Sequence, residues 1–208
     1  MAIPDRKQSI EVLRSFDPPR RFLRHSIAVA EVATFLADRL GSAGLAIDRR
    51  LVESAALLHD IDKLFDPDDP LSALGHGDGG ARWLELNGFA ELCGPVAAHP
   101  ITRLSDPERY RTWATFSNRE TRVVMYADKR AGQRLQPLAT RLERMERRHP
   151  EYVASLRAAR PRAERLEREV CGAAGIAPED VERLPWVELA DTKLLVEKTA
   201  GAEARERS

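Results

Sequence analysis

Four of the chain's five histidines stand in a spaced set with two aspartates: His25, the adjacent pair His59 and Asp60, His76, His99 and Asp128. Neutral imidazoles and carboxylates gathered on buried helices make a nitrogen- and oxygen-rich cage for divalent transition metals, and six ligands are enough for two ions. Each residue also has a plainer reading. A single core histidine more often donates to a carbonyl, and Asp128 by itself could pair with Arg122 or Lys129 at the surface. The adjacent pair is the sharper signal, because the apolar run AALL precedes it and Lys63 follows it. His149, preceded by arginines and followed by a proline, reads as a solvated side chain and stays outside the set.

The elements that must position these residues read as helices. Over 19–40, Phe22, Val29, Val32 and Leu36 form one apolar stripe, and His25 lies on it, facing the core. Asp48 is the expected N-cap of a second helix that carries Val52, Ala55, Ala56 and His59 on its buried side. The run FDPDDP at 65–70 cannot stay helical, which leaves His59 and Asp60 near a helix C-terminus. The sequence GHGDGG at 75–80 predicts a flexible loop holding His76 and feeding a helix over 81–86. A short helix over 89–98 is stopped by Pro100 with His99 at its end, and 100–115 reads as polar and irregular. From about Ser117 a further helix brings Val124, Met125 and Asp128 to one side. No segment alternates convincingly as a strand, so the expected fold class is all-α.

Composition bounds the rest. The 208 residues, 43% of them hydrophobic, can bury one full core. Thirty-three basic residues balance thirty-three acidic ones, so no global field draws the chain to nucleic acid or an anionic membrane. With no leader and no apolar run near 18 residues, the expected location is the cytoplasm; Cys93 and Cys171 read as thiols rather than a disulfide framework. After Gly132 the composition shifts toward Arg, Glu and Ala, which divides the chain into a domain at 1–135 and a helical C-terminal extension at 136–208 with a fraying tail. In the extension, Leu138, Leu142, Met145 and His149 form a stripe ended by Pro150, a second helix is expected to kink at Pro161, and Pro178 opens a short third one. An extension of this kind can pack on the domain or on another copy of the chain.

The segment 100–135 carries Arg103, Arg109, Arg111, Arg119, Arg122, Lys129, Arg130 and Arg134 against Asp106, Glu108, Glu120 and Asp128. A local positive excess beside His99 and Asp128 suits a phosphorylated small molecule, with Lys63, Lys129 and Arg130 the expected substrate-binding residues. Tyr110, Trp113 and Phe116 in the same segment could stack on a base, although aromatics at this spacing more often belong to a core.

The order His25 in HSIAVAEVA (25–33), then LLHDIDK (57–63), His76, His99 and YADKR (126–130) resembles the HD superfamily of metal-dependent phosphohydrolases, in its HDIG-type branch. The resemblance spans roughly residues 20–135. It implies an HD-domain helical bundle around a dinuclear site, with His25, His59, Asp60 and Asp128 on one metal and Asp60 bridging to a second held by His76 and His99. Two nearby cations lower the pKa of a shared water toward neutrality and clamp phosphoryl oxygens, and iron or manganese suits this donor set. Asp62 departs from the motif, which has glycine there, and places a second carboxylate beside Asp60; with Lys63 these form the expected catalytic group. The segment AGQRLQP after Asp128 also differs from relatives resembling symmetrical dinucleoside polyphosphate hydrolases. The leading expectation is hydrolysis of a phosphate ester or anhydride of a small molecule, a nucleotide foremost. A di-iron oxygenase and a nucleotide-sensing binding module are the alternatives, the latter disfavoured because all six ligands are present.

Overall fold

The computed structural model describes residues 3–185, and within them every regular element is helical. The expected fraying tail lies outside the described residues. The first helix, α1 (Arg6–Arg14), was not anticipated, yet it has a local cause: the Asp5 carboxylate accepts from the Gln8 N–H while the Gln8 amide oxygen accepts from the Asp5 N–H, both at 2.8 Å. It lays Ile10 and Leu13 against the core. Helix α2 (Arg20–Ser42) follows and runs through Gly41; Gly44, at φ 78°, lies just past its end. Helix α3 (Arg49–Leu58) begins where Asp48 accepts from the Leu51 N–H at 2.9 Å, as its type predicts.

After α3 the chain tightens into a 3-10 turn at Ile61–Leu64 and a second at Pro70–Leu74. Helix α4 (Asp78–Leu86) then starts earlier than expected, taking in the second half of the glycine-rich stretch. Packing explains those glycines: a Cβ on Gly79 would lie 2.5 Å from the Leu71 carbonyl oxygen, so the helix can approach that turn only without a side chain. Helix α5 (Cys93–Ala98) ends at His99.

The stretch after Pro100 is not irregular. It contains a 3-10 turn at Ile101–Leu104 and helix α6 (Pro107–Phe116), whose first turn is held by the Asp106 carboxylate accepting from the N–H groups of Glu108 and Arg109, both at 2.9 Å. The triplet Asp106, Pro107, Glu108 is a helix-start signal that charge content had masked. Helix α7 (Arg119–Arg130), capped by Asn118, is buried continuously from Val123 to Arg130 and forms the central rod, with α2, α3 and α5 packed around it.

Helices α8 (Leu138–Arg148), α9 (Val153–Ala174) and α10 (Pro178–Glu182) complete the described chain. Helix α9 passes through Pro161 without ending, because that proline sits on the exposed face where water can satisfy the carbonyl it leaves unpaired. Leu138, Leu142, Leu156, Ala163 and Leu166 join the same buried cluster as Ile27, Val124 and Met125. Residues 136–185 therefore contribute to one continuous core, with α9 lying on α2, α7 and the turn at Ile101–Leu104. No helix among the described residues is long and apolar enough to cross a membrane.

Candidate metal centre

His59 and His99 each stand one residue past a helix end, at the C-caps of α3 and α5. Each points Nδ1 back at the carbonyl three residues earlier, His59 to Ala56 at 2.8 Å and His99 to Val96 at 2.6 Å. Donation from Nδ1 to a carbonyl fixes the ring and leaves Nε2 as the free lone pair, the arrangement a ligating imidazole requires. His76 reaches the same result from a loop: its Nδ1 lies 2.9 Å from Asp62 Oδ2, and Asp62 is itself held by the Gly77 N–H at 2.7 Å. Helix α2 supplies His25 and the last turn of α7 supplies Asp128.

The six residues converge, with Asp60 between two groups. On one side, Asp60 Oδ2 lies 3.6 Å from His25 Nε2 and 3.4 Å from His59 Nε2, while Asp128 Oδ1 lies 3.4 Å and 3.7 Å from the same two nitrogens. On the other, Asp60 Oδ1 lies 3.5 Å from His76 Nε2 and 3.4 Å from His99 Nε2, and those two nitrogens are 3.1 Å apart. Hydrogen bonds from nitrogen to oxygen sit at about 2.7–3.2 Å. Donors that share a metal at about 2.0–2.2 Å are instead separated by about 3–3.5 Å, close to what is seen here.

Two further observations fit the donor set to divalent metals. His59 Nε2 and Asp60 Oδ1 are buried without any hydrogen-bond partner, a cost that a cation at each would remove. Charge is also unresolved among the ligands. Burial holds His25 below its ordinary range and His99 down to about 3, so both are neutral. Burial opposes charge on His59 too, but the carboxylates of Asp60 and Asp128 outweigh it and push that ring up to about 10. Burial likewise opposes charge on Asp60 and Asp128, yet both stay well below the carboxylate range, Asp60 through His59 and Lys63, Asp128 through Lys129 and His25.

A family model described as HD domain matches residues 22–132, more than half of the chain. The chain belongs to the HD family. No curated protein and no solved structure matches it. The HD domain is typical of metal-dependent hydrolases, and here its segment contains all six converging residues.

Around the HD ligands the structure sorts the remaining expected site residues. Lys63, 51% exposed, bonds Asp60 Oδ2 at 2.7 Å and borders an open cleft of about 670 Å³. Lys129 lines the same cleft but is nearly buried and tied to Asp128 Oδ2. Asp62, expected in the catalytic group, lies behind His76 and acts on the centre through that ring. Arg130 is a correction. Its side chain is fully buried on the face of α7 away from the cleft, donating to the Glu167 and Glu182 carboxylates at 2.9 Å each and to the carbonyls of Gln136 and Pro178. A guanidinium with its donors so committed cannot meet a substrate. Two residues along a helix is about 200° of rotation, which is why proximity to Asp128 in sequence put Arg130 on the opposite side.

The aromatic run is likewise not at the centre. Trp113 is buried with its Nε1 donating to the Ala98 carbonyl at 3.2 Å, Tyr110 lies under Arg162, and Phe116 projects at 80% exposure beside a separate groove. Sequence reasoning missed one wall of the cleft: Arg141 and Met145 of α8, His149 and Tyr152 of the turn that follows, and Ser155 and Leu156 of α9 border it together with His25, His76 and Asp128. All six lie beyond residue 132, outside the HD segment.

Proposed function

We propose that the protein is a metal-dependent phosphohydrolase that cleaves a phosphate ester or anhydride of a small organic molecule, a nucleotide foremost. The observation that carries this reading is Asp60, whose two oxygens face separate imidazole groups behind a cation-bordered cleft that its neighbours His25, His76 and Asp128 line. His25, His59 and Asp128 with Asp60 would hold one metal, and His76 and His99 with Asp60 the second; iron and manganese suit such donors. Divalent metals there supply Lewis acidity toward phosphoryl oxygens and bring the pKa of water toward neutrality.

The chain's own residues set the conditions for that chemistry. Lys63 and Lys129 offset the charge of the two ligand carboxylates, and Lys63 is exposed enough to meet a phosphoryl oxygen or a leaving group. Asp62 holds His76, the one ligand on a loop, in register with His99. Leu156, Met145 and Tyr152 give the cleft an apolar side for the organic part of the substrate. Cys93 and Cys171 are free thiols, which supports a reducing compartment such as the cytoplasm.

The test is a panel of phosphate esters and anhydrides offered to protein reconstituted with iron or manganese, run with and without dioxygen, with metal content measured in parallel. Release of phosphate or a nucleoside monophosphate at the same rate under both atmospheres is the expected result. Turnover that stops without dioxygen, the metal being kept in its working oxidation state, would replace this reading with a di-iron oxygenase. Binding of nucleotides without turnover by fully loaded protein would replace it with a sensing module.

A further inference from the structure

The cations that border the cleft differ in what they are already bound to. Lys63 is held by Asp60, Lys129 by Asp128, and Arg103 by Asp78 at 2.6 Å and the Ala97 carbonyl at 3.0 Å. Arg109 is exposed beside the Asp106 carboxylate. Arg141 of α8 is different. Its side chain makes no hydrogen bond or ion pair with any other described residue, and its Nε is buried without a partner while the residue lines the cleft. Its surroundings are the Gly132 and Gln136 region, where Gln136 Oε1 is also buried and unpaired. A buried guanidinium donor left unmade costs the folded chain a hydrogen bond, and a planar fork of donors matches the paired oxygens of a phosphate or carboxylate.

We propose that Arg141 anchors a second anionic group of the substrate, remote from the scissile phosphoryl, so that the preferred substrate is an organic phosphate with at least two phosphoryl groups. The inference rests on the reading of the site as a phosphohydrolase and refines its substrate class. The division of labour follows from the census of cations. The metal ligands and Lys63 serve the reacting phosphoryl at the cleft floor, whereas Arg141 stands on the wall built by the segment beyond the HD domain, on the same helix as Met145. Recognition of the second anionic group, and part of the packing of the organic moiety at Met145, thus come from one helix. That helix lies outside the HD segment, so the metal centre and the substrate preference are set by different parts of the chain.

The experiment is calorimetric titration of the metal-loaded full-length protein with ADP, AMP and inorganic phosphate, repeated for Arg141→Ala and Arg141→Gln, with thermal midpoint and metal content as folding controls. Loss of a charge-assisted hydrogen-bonding pair should weaken ADP binding by about 10–100-fold in both variants, while binding of inorganic phosphate at the centre changes less than about threefold. Arginine to glutamine keeps a polar stem of similar reach, so it reads the lost charge where the alanine variant is unstable. Equal weakening toward all three probes, no weakening toward ADP, or wild-type protein that binds ADP no better than phosphate would overturn the assignment. The readout does not depend on turnover. A protein that shows the ADP-selective loss yet hydrolyses no phosphate ester would sink the phosphohydrolase and leave the anchor standing; hydrolysis without the selective loss would do the reverse.

Discussion

Asp60 is the residue on which both halves of the centre depend, since Oδ2 faces His25 and His59 while Oδ1 faces His76 and His99. Asp60→Ala should therefore lose both metals after reconstitution, whereas His76→Ala should retain one, as read by elemental analysis of the purified variants. Equal stoichiometry in the two would count against a shared carboxylate. Asp62 acts one step further out, through the His76 ring and the Gly77 N–H. Asp62→Ala should weaken the more labile of two metals by about 10–100-fold in chelator competition while leaving the other in place, the usual scale for a residue that orients a ligand. Uniform weakening of both would mean that Asp62 supports the fold rather than one ring.

At the scale of elements, the approach of α4 to its neighbours decides where His76 sits. A Cβ on Gly79 would meet the Leu71 carbonyl oxygen at 2.5 Å, and one on Gly80 would meet Ile61 and Val96 at 3.2 Å and 3.3 Å. Gly79→Ala must push the helix off the turn at Pro70–Leu74 and should cost about 1–3 kcal/mol. Gly94, in the first turn of α5, has nothing within 4 Å of the same position. Gly94→Ala should instead stabilise by up to about 1 kcal/mol through helix propensity alone. Thermal unfolding of the two variants should thus shift in opposite directions, and a shared direction would refute the packing argument.

For the molecule as a whole, Arg130 links the central helix α7 to α9 and α10. Its guanidinium joins Glu167 and Glu182, with the Tyr126 hydroxyl between Arg130 and Glu167 and in contact with Cys171 at 3.2 Å. Arg130→Met removes one side of a buried ionic network and leaves carboxylates facing an apolar side chain, which should cost about 3–5 kcal/mol of unfolding free energy. Metal stoichiometry of the folded fraction should be unchanged, because the substitution lies on the face of α7 away from Asp128. A chain ending at residue 135 should fare worse, because it uncovers the apolar surfaces that meet Leu138, Leu142, Leu156 and Leu166 and strands Arg130 without its acids. Size-exclusion chromatography should show aggregation; a soluble, cooperatively folding truncation would show that α8 to α10 are dispensable for the core.

The all-helical class, the N-cap at Asp48, the placement of His59 and His99 at helix ends and the ligand types themselves were legible in the sequence, because caps, proline stops and a 3.6-residue period act over a few neighbouring positions. Helices α1 and α6 carried equally local signals, in the reciprocal Asp5 and Gln8 pair and in Asp106 before Pro107, but charged composition hid them. Tertiary structure alone decided the rest. Whether a cation meets a substrate or a buried acid depends on which distant helix lies across from it: Glu167 and Glu182 claimed Arg130, while Arg141, from a segment that reads only as an arginine-rich extension, was left unpaired at the cleft. Charge pairing acts through space over a few ångströms and carries no period along the chain.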